Sequence, residues 1–280
     1  MANVQPGGTL GGMSTTPLPS RLGDLSAPVF QELIAQNPVI LLPLGSQEDH
    51  GPHLPMGDYM LAEMLAARIA SKAQAGGVPA FVAPGLAFGV ADYFGASPGG
   101  LALSPATFKA LLAELLEGLL RHGVRNIVIL NAHGGNVAVI HEVTLKIRRE
   151  MGVVLPSFYL WKVAREIMEA QPGVGGARFA HGAEPLASLT LALRPETVVD
   201  EPHTPAPTAP LLGLNVKNFG ALEFAGVTVE APVEFAELSK APLAAAWPDA
   251  RAELGEAVAG LLVEKAAAFA AHIYKVGTAG

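Results

Sequence analysis

The chain has no cysteine among its 280 residues, which removes disulfides, thiolate nucleophiles and cysteine-based zinc sites together. It also lacks any run of about 20 uncharged apolar residues, the length a helix needs to cross a bilayer. The two longest helix-like apolar stretches, 111–120 and 257–274, are each interrupted by charges, so no membrane span is expected. Lysine and arginine nowhere cluster, and 18 of them stand against 25 acids for a formal charge of −7. A phosphate backbone is a poor partner for such a chain, and no nucleic-acid role is expected. The first twenty residues hold no basic residue and no continuous apolar core. They do not read as a secretory signal, which leaves a cytoplasmic location as the expectation. The Gly-Gly pairs at 76–77, 99–100 and 175–176 fit no phosphate-binding pattern and read as turns. The Gly-x-Ser-x-Gly elbow of serine hydrolases is absent as well.

What the chain does have is apolar surface. Half of its residues are hydrophobic and 15% are charged, and the mean hydropathy is +0.37. A compact core plus contacts between subunits accounts for that surplus, so a homo-oligomer is expected. The length allows one large domain or two small ones, and neither an internal repeat nor a boundary between two cores is visible. The reading is a flexible arm over 1–20, made mostly of Gly, Pro, Ser and Thr, and one domain over 21–280.

Within that domain, strand and helix patterns alternate. Residues 38–44 form a short apolar run bounded by turn signals, as a buried parallel strand does. A helix follows from Asp58, with Asp58 placed to cap it or to face a site. Strands at 80–83, 126–130 and 153–159 alternate with helices at 105–122 and 137–151. A loop at 171–180 leads to a short helix or strand start at 185–193. Five prolines over 195–210 suggest an ordered surface connection, and a last helix covers 248–274. This is the pattern of an α/β layered fold around a mainly parallel sheet, in which sites form beyond the carboxyl ends of the strands.

Two loops in that position carry the chemistry. Between Gly45 and Asp58 lie Glu48, Asp49, His50 and His53, and the loop at 131–136 contains His133-Gly134-Gly135. Carboxylate oxygen and imidazole nitrogen together suit divalent cations. Glu48 and His50 are two residues apart, so in an extended segment they leave on the same side and can reach one cation or two adjacent ones. Asp58 returns from the far end of the loop, where its carboxylate can bridge two metals about 3.5–4 Å apart. His133 adds the nitrogen that a first metal still lacks. Asp49 alternates to the other side. His53 either orients a ligand or donates to a backbone carbonyl that shapes the loop. Tyr93, Phe94 and Trp161 are candidates for pocket walls or for core.

These motifs resemble the creatininase family. The similarity runs from about Val39 to about Leu193, through Gly45-Ser46-Gln47-Glu48-Asp49-His50-Gly51-Pro52-His53-Leu54-Pro55 followed by an Asp, and Asn131-Ala132-His133-Gly134-Gly135-Asn136. The resemblance implies a single-domain three-layer α/β/α sandwich, a hexameric or other multimeric assembly, and two divalent metal ions per chain, zinc first with manganese or iron as alternatives. Carried over, Glu48, Asp58 and His133 would hold the first metal. His50 with the bridging Asp58 would hold the second, and His181 would carry a proton to the leaving nitrogen. The implied activity is hydrolysis of a non-peptide C–N bond in a small cyclic or linear amide by a metal-activated water. Alternatives are the same centre acting on a formamide, a peptide tail, or a lactone or ketone, and an inactive metal-stabilised subunit.

The sequence departs from the family pattern in four places. The segment between Pro55 and Asp58 is one residue shorter. Gly135 stands where creatinine-hydrolysing members have a Glu, Leu186-Ala187-Ser188 stands where many relatives have Glu-Thr-Ser, and the loop from Asp92 to Gly100 differs in its polar residues. Glu184 is the candidate replacement for the missing carboxylate, with roles open as a metal ligand, a supporting base or a helix-capping acid.

Overall fold

A computed structural model describes residues 19–90, 93–95, 97–172, 174, 179–201, 209–238 and 247–277. Residues 1–18 of the arm expected over 1–20, Asp92, Ala96, the Gly-Gly pair at 175–176, His203 and three of the five prolines of 195–210 lie outside the described residues.

The layering follows from how strand residues alternate. Strand β1 (Val39–Leu44) is buried at every position. Its Val39 and Leu41 enter one core, shared with helix α2 (Asp58–Ala75) and the last helix, α7 (Ala252–Gly277). Its Ile40, Leu42 and Leu44 enter a second core, with α3 (Pro105–Arg121) and α4 (Val137–Met151). Strands β2 (Ala80–Val82) and β3 (Asn126–Asn131) divide in the same way: Val82 and Val128 pack on one side, Phe81 and Ile129 on the other. A period of two with both faces apolar gives a sheet between two helical layers. The strand order is β2-β1-β3-β4, with β4 at Ser157–Tyr159, and every pairing is parallel. The α/β/α expectation is met. At the open edge, the Val82 N–H donates to the Ser20 carbonyl at 2.7 Å.

Several elements differ from, or settle, the sequence reading. The strand expected over 153–159 forms only at Ser157–Tyr159, because Pro156 has no N–H for a ladder. Its carbonyl still accepts from Ile129 N at 2.9 Å. Helix α5 (Leu160–Glu169) follows β4 directly, where no helix was expected. Residues 186–193 resolve as helix α6 (Leu186–Leu193), and α7 starts at Ala252, after a 3-10 turn over Trp247–Asp249 that contains Pro248. A separate antiparallel sheet, β5 (Asn215–Asn218), β6 (Ala221–Phe224) and β7 (Val227–Glu230), was not anticipated.

Helix α7 is long and apolar enough by length and composition to cross a membrane, and it is also the element that α2, α5 and α6 pack on. Its closest approach is at Gly255. A Cβ there would lie 1.9 Å from the Ser188 carbonyl oxygen, so only glycine lets α6 and α7 come this close.

Candidate metal centre and its cavity

The carboxyl ends of β1, β3 and β4 open onto one cavity, as parallel sheets allow. Leaving β1, the chain passes Gly45, where a Cβ would meet Asp58 Oδ1 at 2.5 Å and Tyr59 Cα at 2.4 Å. That glycine lets the start of α2 lie against the end of β1. The loop closes on itself through Glu48 N–H to Met56 O at 2.8 Å. Asp58 is the first residue of α2, with Gly57 in the capping position. Its Oδ1 accepts from Ser46 N–H at 2.6 Å instead of capping its own helix, so the carboxylate faces inward.

Each of three imidazoles spends one nitrogen on a backbone carbonyl. His50 Nδ1 lies 2.9 Å from Pro55 O, His133 Nε2 lies 2.6 Å from Val90 O, and His181 Nε2 lies 2.6 Å from Asp49 O. Only an N–H can face a carbonyl oxygen, so these contacts fix the tautomers. The opposite nitrogens all turn to the carboxylates. His50 Nε2 is 3.2 Å from Glu48 Oε1, His133 Nδ1 is 2.6 Å from Glu48 Oε2, and His181 Nδ1 is 3.9 Å from Glu48 Oε1. Asp58 Oδ2 stands 4.0 Å from both His50 Nε2 and His133 Nδ1. Glu48, Asp58 and His133 form one group with ligand spacing, and Glu48, His50 and His181 form a second.

A cation fits the first group. Glu48 Oε2, Asp58 Oδ2 and His133 Nδ1 are buried and have no hydrogen-bond partner among the described residues. Glu48 Oε2 and His133 Nδ1 are near enough for a hydrogen bond but not oriented for one. Buried polar atoms are costly to leave unpaired, and three of them directed at one point describe ligands that share an ion.

The charges agree. Burial opposes ionisation of Glu48, but the contacts of His133 and His50 outweigh it and hold that carboxyl well below the usual range. Asp58 is raised to about 7 by burial and by the charge of Glu48. Burial would lower His50, yet the Glu48 carboxylate lifts it to about 9; His133 rises for the same reason. The protein groups alone therefore draw positive charge to this point, and a divalent cation must displace protons to bind there. His181 goes the other way, pushed down to about 4 by burial and by His50, and is neutral at pH 7.

The remaining candidates take distinct places. Glu184 is buried but joins neither ligand group. Its Oε1 accepts from Ser188 Oγ at 2.5 Å and its Oε2 from Ser188 N–H at 3.2 Å, so in this structure it caps the first turn of α6 beside the cavity. Ser188 Oγ also accepts from Arg251 N–H at 3.0 Å, tying α6 to the approach of α7. Asp49 accepts from Gly51 N–H and Ser97 Oγ, bracing the loop while its carbonyl orients His181. His53 donates to Val199 O at 2.9 Å and stacks on Trp247, which is the loop-shaping role.

Asn136, Gly89, Phe219 and Phe235 have no role assigned by the sequence. Asn136 accepts from Val90 N–H and donates to Gly45 O at 3.3 Å, fixing the carbonyl that orients His133. Gly89 lies so near that a Cβ would be 2.7 Å from His133 Cδ2. Phe219, from the turn between β5 and β6, and Phe235 pack their rings 5.2 and 5.3 Å from His181, and Phe94 adds a third at 4.9 Å. The cavity has a volume of about 560 Å³, and Tyr93, Phe94 and Trp161 all line it.

Comparison with known proteins gives the family and the fold. The family model described as creatinine amidohydrolase (creatininase) matches residues 23–270. A creatinine amidohydrolase from Pseudomonas putida is 28% identical over 213 residues, covering 66% of this chain and 78% of that protein. A mycofactocin precursor peptide peptidase from Mycolicibacterium smegmatis is 33% identical over 137 residues, covering 47% of this chain and 53%, about half, of that protein. Among solved structures, one of creatinine amidohydrolase superposes with a TM-score of 0.67 at 24% identity, over 91% of this chain and 98% of that one. Creatininase structures of similar fold include one described as Zn-Zn type and one as Mn.

Proposed function

The chain belongs to the creatininase family, and we propose that it hydrolyses the C–N bond of a small cyclic or linear amide at a centre of two divalent cations. The observation that carries this reading is the set of three imidazoles, each locked by a backbone carbonyl and each presenting its other nitrogen to Glu48, with His50 and His133 also facing Asp58. Glu48, Asp58 and His133 would hold one cation. His50 would hold the other with Glu48, and Asp58 Oδ2, equidistant from His50 and His133, would be shared. Bound there, the cations supply Lewis acidity and lower the pKa of a water at the site. Zinc is the first choice, with manganese or iron as alternatives, since mixed Asp/Glu/His sets accept all three.

The protein's own groups do the rest. His181 is neutral and half-buried at the cavity wall, with Nδ1 toward Glu48. It takes a proton near the centre and returns it to the leaving nitrogen. Tyr159, at the end of β4, also lines the cavity, and a Cβ at position 134 would lie 3.0 Å from its hydroxyl. Burial and the charges of Asp58 and Glu48 push Tyr159 up to about 12, so it remains a donor and can hydrogen-bond the carbonyl oxygen of the amide as negative charge develops there.

The relatives include an amidohydrolase and a peptidase, and both break C–N bonds. The cavity has room for a linear substrate, so a second reading keeps the centre and takes a formamide or peptide tail. Gly135 and Leu186 motivate the contrary reading of an inactive metal-stabilised subunit. The deciding experiment measures metal content and hydrolysis across creatinine, N-formyl and N-acetyl amino acids and a lactone. Two equivalents of metal with chelator-sensitive amide hydrolysis supports the proposal; full metal occupancy with no turnover on the whole panel supports the inactive subunit. Asp58→Ala is expected to empty both positions, and two metals retained in that variant would overturn the shared-carboxylate arrangement.

A further inference from the structure

Helix α5 brings positive charge to this cavity in a chain whose net charge is −7. Lys162 and Arg165 are three residues apart, hence on one helical face, and both line the space that contains Glu48, His50 and His133. Arg165 is fixed there. Its guanidinium carbon lies 4.6 Å from the centroid of the Phe179 ring, and its Nε donates to Glu169 Oε1 at 2.8 Å. Lys162 has no ion pair among the described residues. The acids of the cavity do not answer these cations: Glu48 and Asp58 are turned to the imidazoles, and Glu184 is held by Ser188.

A solvated lysine or arginine on an outer helix face needs no explanation. These two, though exposed, stand at the mouth of a cavity with aromatic walls, and the acids that line it are engaged elsewhere. From this geometry we infer that the substrate carries a carboxylate, held by Lys162 and Arg165 while its amide lies at the metal centre and its apolar body lies against Phe94 and Phe219. One full ammonium and one guanidinium already shared with Glu169 amount to roughly one uncompensated charge. That suits a carboxylate better than a phosphate dianion, and the substrate class is an N-acyl amino acid or another amide bearing one carboxylate. The inference rests on the amide-hydrolase reading and narrows it.

The test compares N-acetylphenylalanine with N-acetylphenethylamine, which has the same scissile bond and ring but no carboxylate, on the zinc-loaded protein and on a Lys162→Met/Arg165→Met variant. Two partly exposed charge contacts predict a preference of roughly tenfold in kcat/KM for the acid, lost in the variant while the rate on the neutral amide is unchanged. Equal rates on the two compounds, or a preference that survives in the variant, would overturn the inference while leaving amide hydrolysis intact. A binding arm is independent of turnover: 3-phenylpropionate should bind the zinc-loaded variant roughly tenfold more weakly than the unaltered protein. Unchanged affinity refutes the carboxylate site. Absent hydrolysis on both compounds with weakened binding refutes the reaction and keeps the site.

Discussion

At the scale of residues, the centre is a contest between protons and cations for the same nitrogens. His50 is raised from 6.5 to about 9 and Asp58 from 3.8 to about 7, so both favour the folded state through the protons they hold. The contribution of His50 is complete below pH 6.5 and fades toward pH 9; that of Asp58 fades between about 4 and 7. His181, lowered to about 4, has the opposite sign and withdraws stability as pH falls below 6.5. Chelator-treated protein should therefore be most stable near pH 6 and lose melting temperature toward pH 9, at roughly 2–4 °C for each kcal/mol. Zinc-loaded protein should show a flatter profile, because the cation replaces those protons. A chelator effect on Tm that does not grow with pH in a thermal-melt series would refute this account. A second prediction concerns the phenol. Tyr159→Phe removes one hydroxyl and no bulk, so metal content and fold should be preserved while kcat falls by about 10²-fold, the usual cost of one oxyanion donor, with KM little changed. Loss of metal in that variant would make the hydroxyl a support of the centre instead.

At the scale of elements, α6 and α7 meet through one residue without a side chain. Gly255→Ala would place a Cβ 1.9 Å from the Ser188 carbonyl oxygen, forcing the helices apart at a cost of about 1–3 kcal/mol or more. Denaturant melts should show the loss. Activity should fall with it, since Ser188 also holds Glu184 beside the cavity. A variant as stable as the parent would show that the helices can separate without penalty. Nothing in the apolar pattern of 252–277 marks this position, because close backbone approach is a property of two elements and not of one. The same reasoning explains what was legible. Strands β1 and β3 are buried on both faces, so their runs of Val, Ile and Leu stand out, and the loops at their carboxyl ends give the places of Glu48, His50, Asp58 and His133. Strands β5 to β7 are four residues each and mostly exposed, so the alternation of Leu222 and Phe224 with Val227 and Val229 is too short to stand out. Helix α5 follows β4 without a turn. Glu184 was ambiguous because its partner, Ser188, is a local contact that only the start of α6 determines.

At the scale of the whole molecule, the small antiparallel sheet connects surface to site. Phe224 is 56% exposed, Val227 58% and Val229 41%. Val227 stands opposite Phe224, and Val229 opposite Leu222, so alternation puts all four on one face, of which only Leu222 is buried. Among the described residues, strand β7 pairs only with β6 and forms the edge of its sheet. An apolar row on an open edge invites association, and the high overall hydropathy points the same way. The expectation is a homo-oligomer, a hexamer by family resemblance, with this face covered by a neighbouring copy. Light scattering should give a multiple of 28.9 kDa for the parent chain, and Val227→Glu with Val229→Glu should reduce it toward a single chain. A monomeric parent would remove the assembly, and an unchanged mass in the variant would move the interface elsewhere. Because Phe219, in the turn of this same sheet, packs on His181, loosening the assembly should also lower turnover, while metal content should be unchanged if the buried Glu48, Asp58 and His133 are the ligands proposed above.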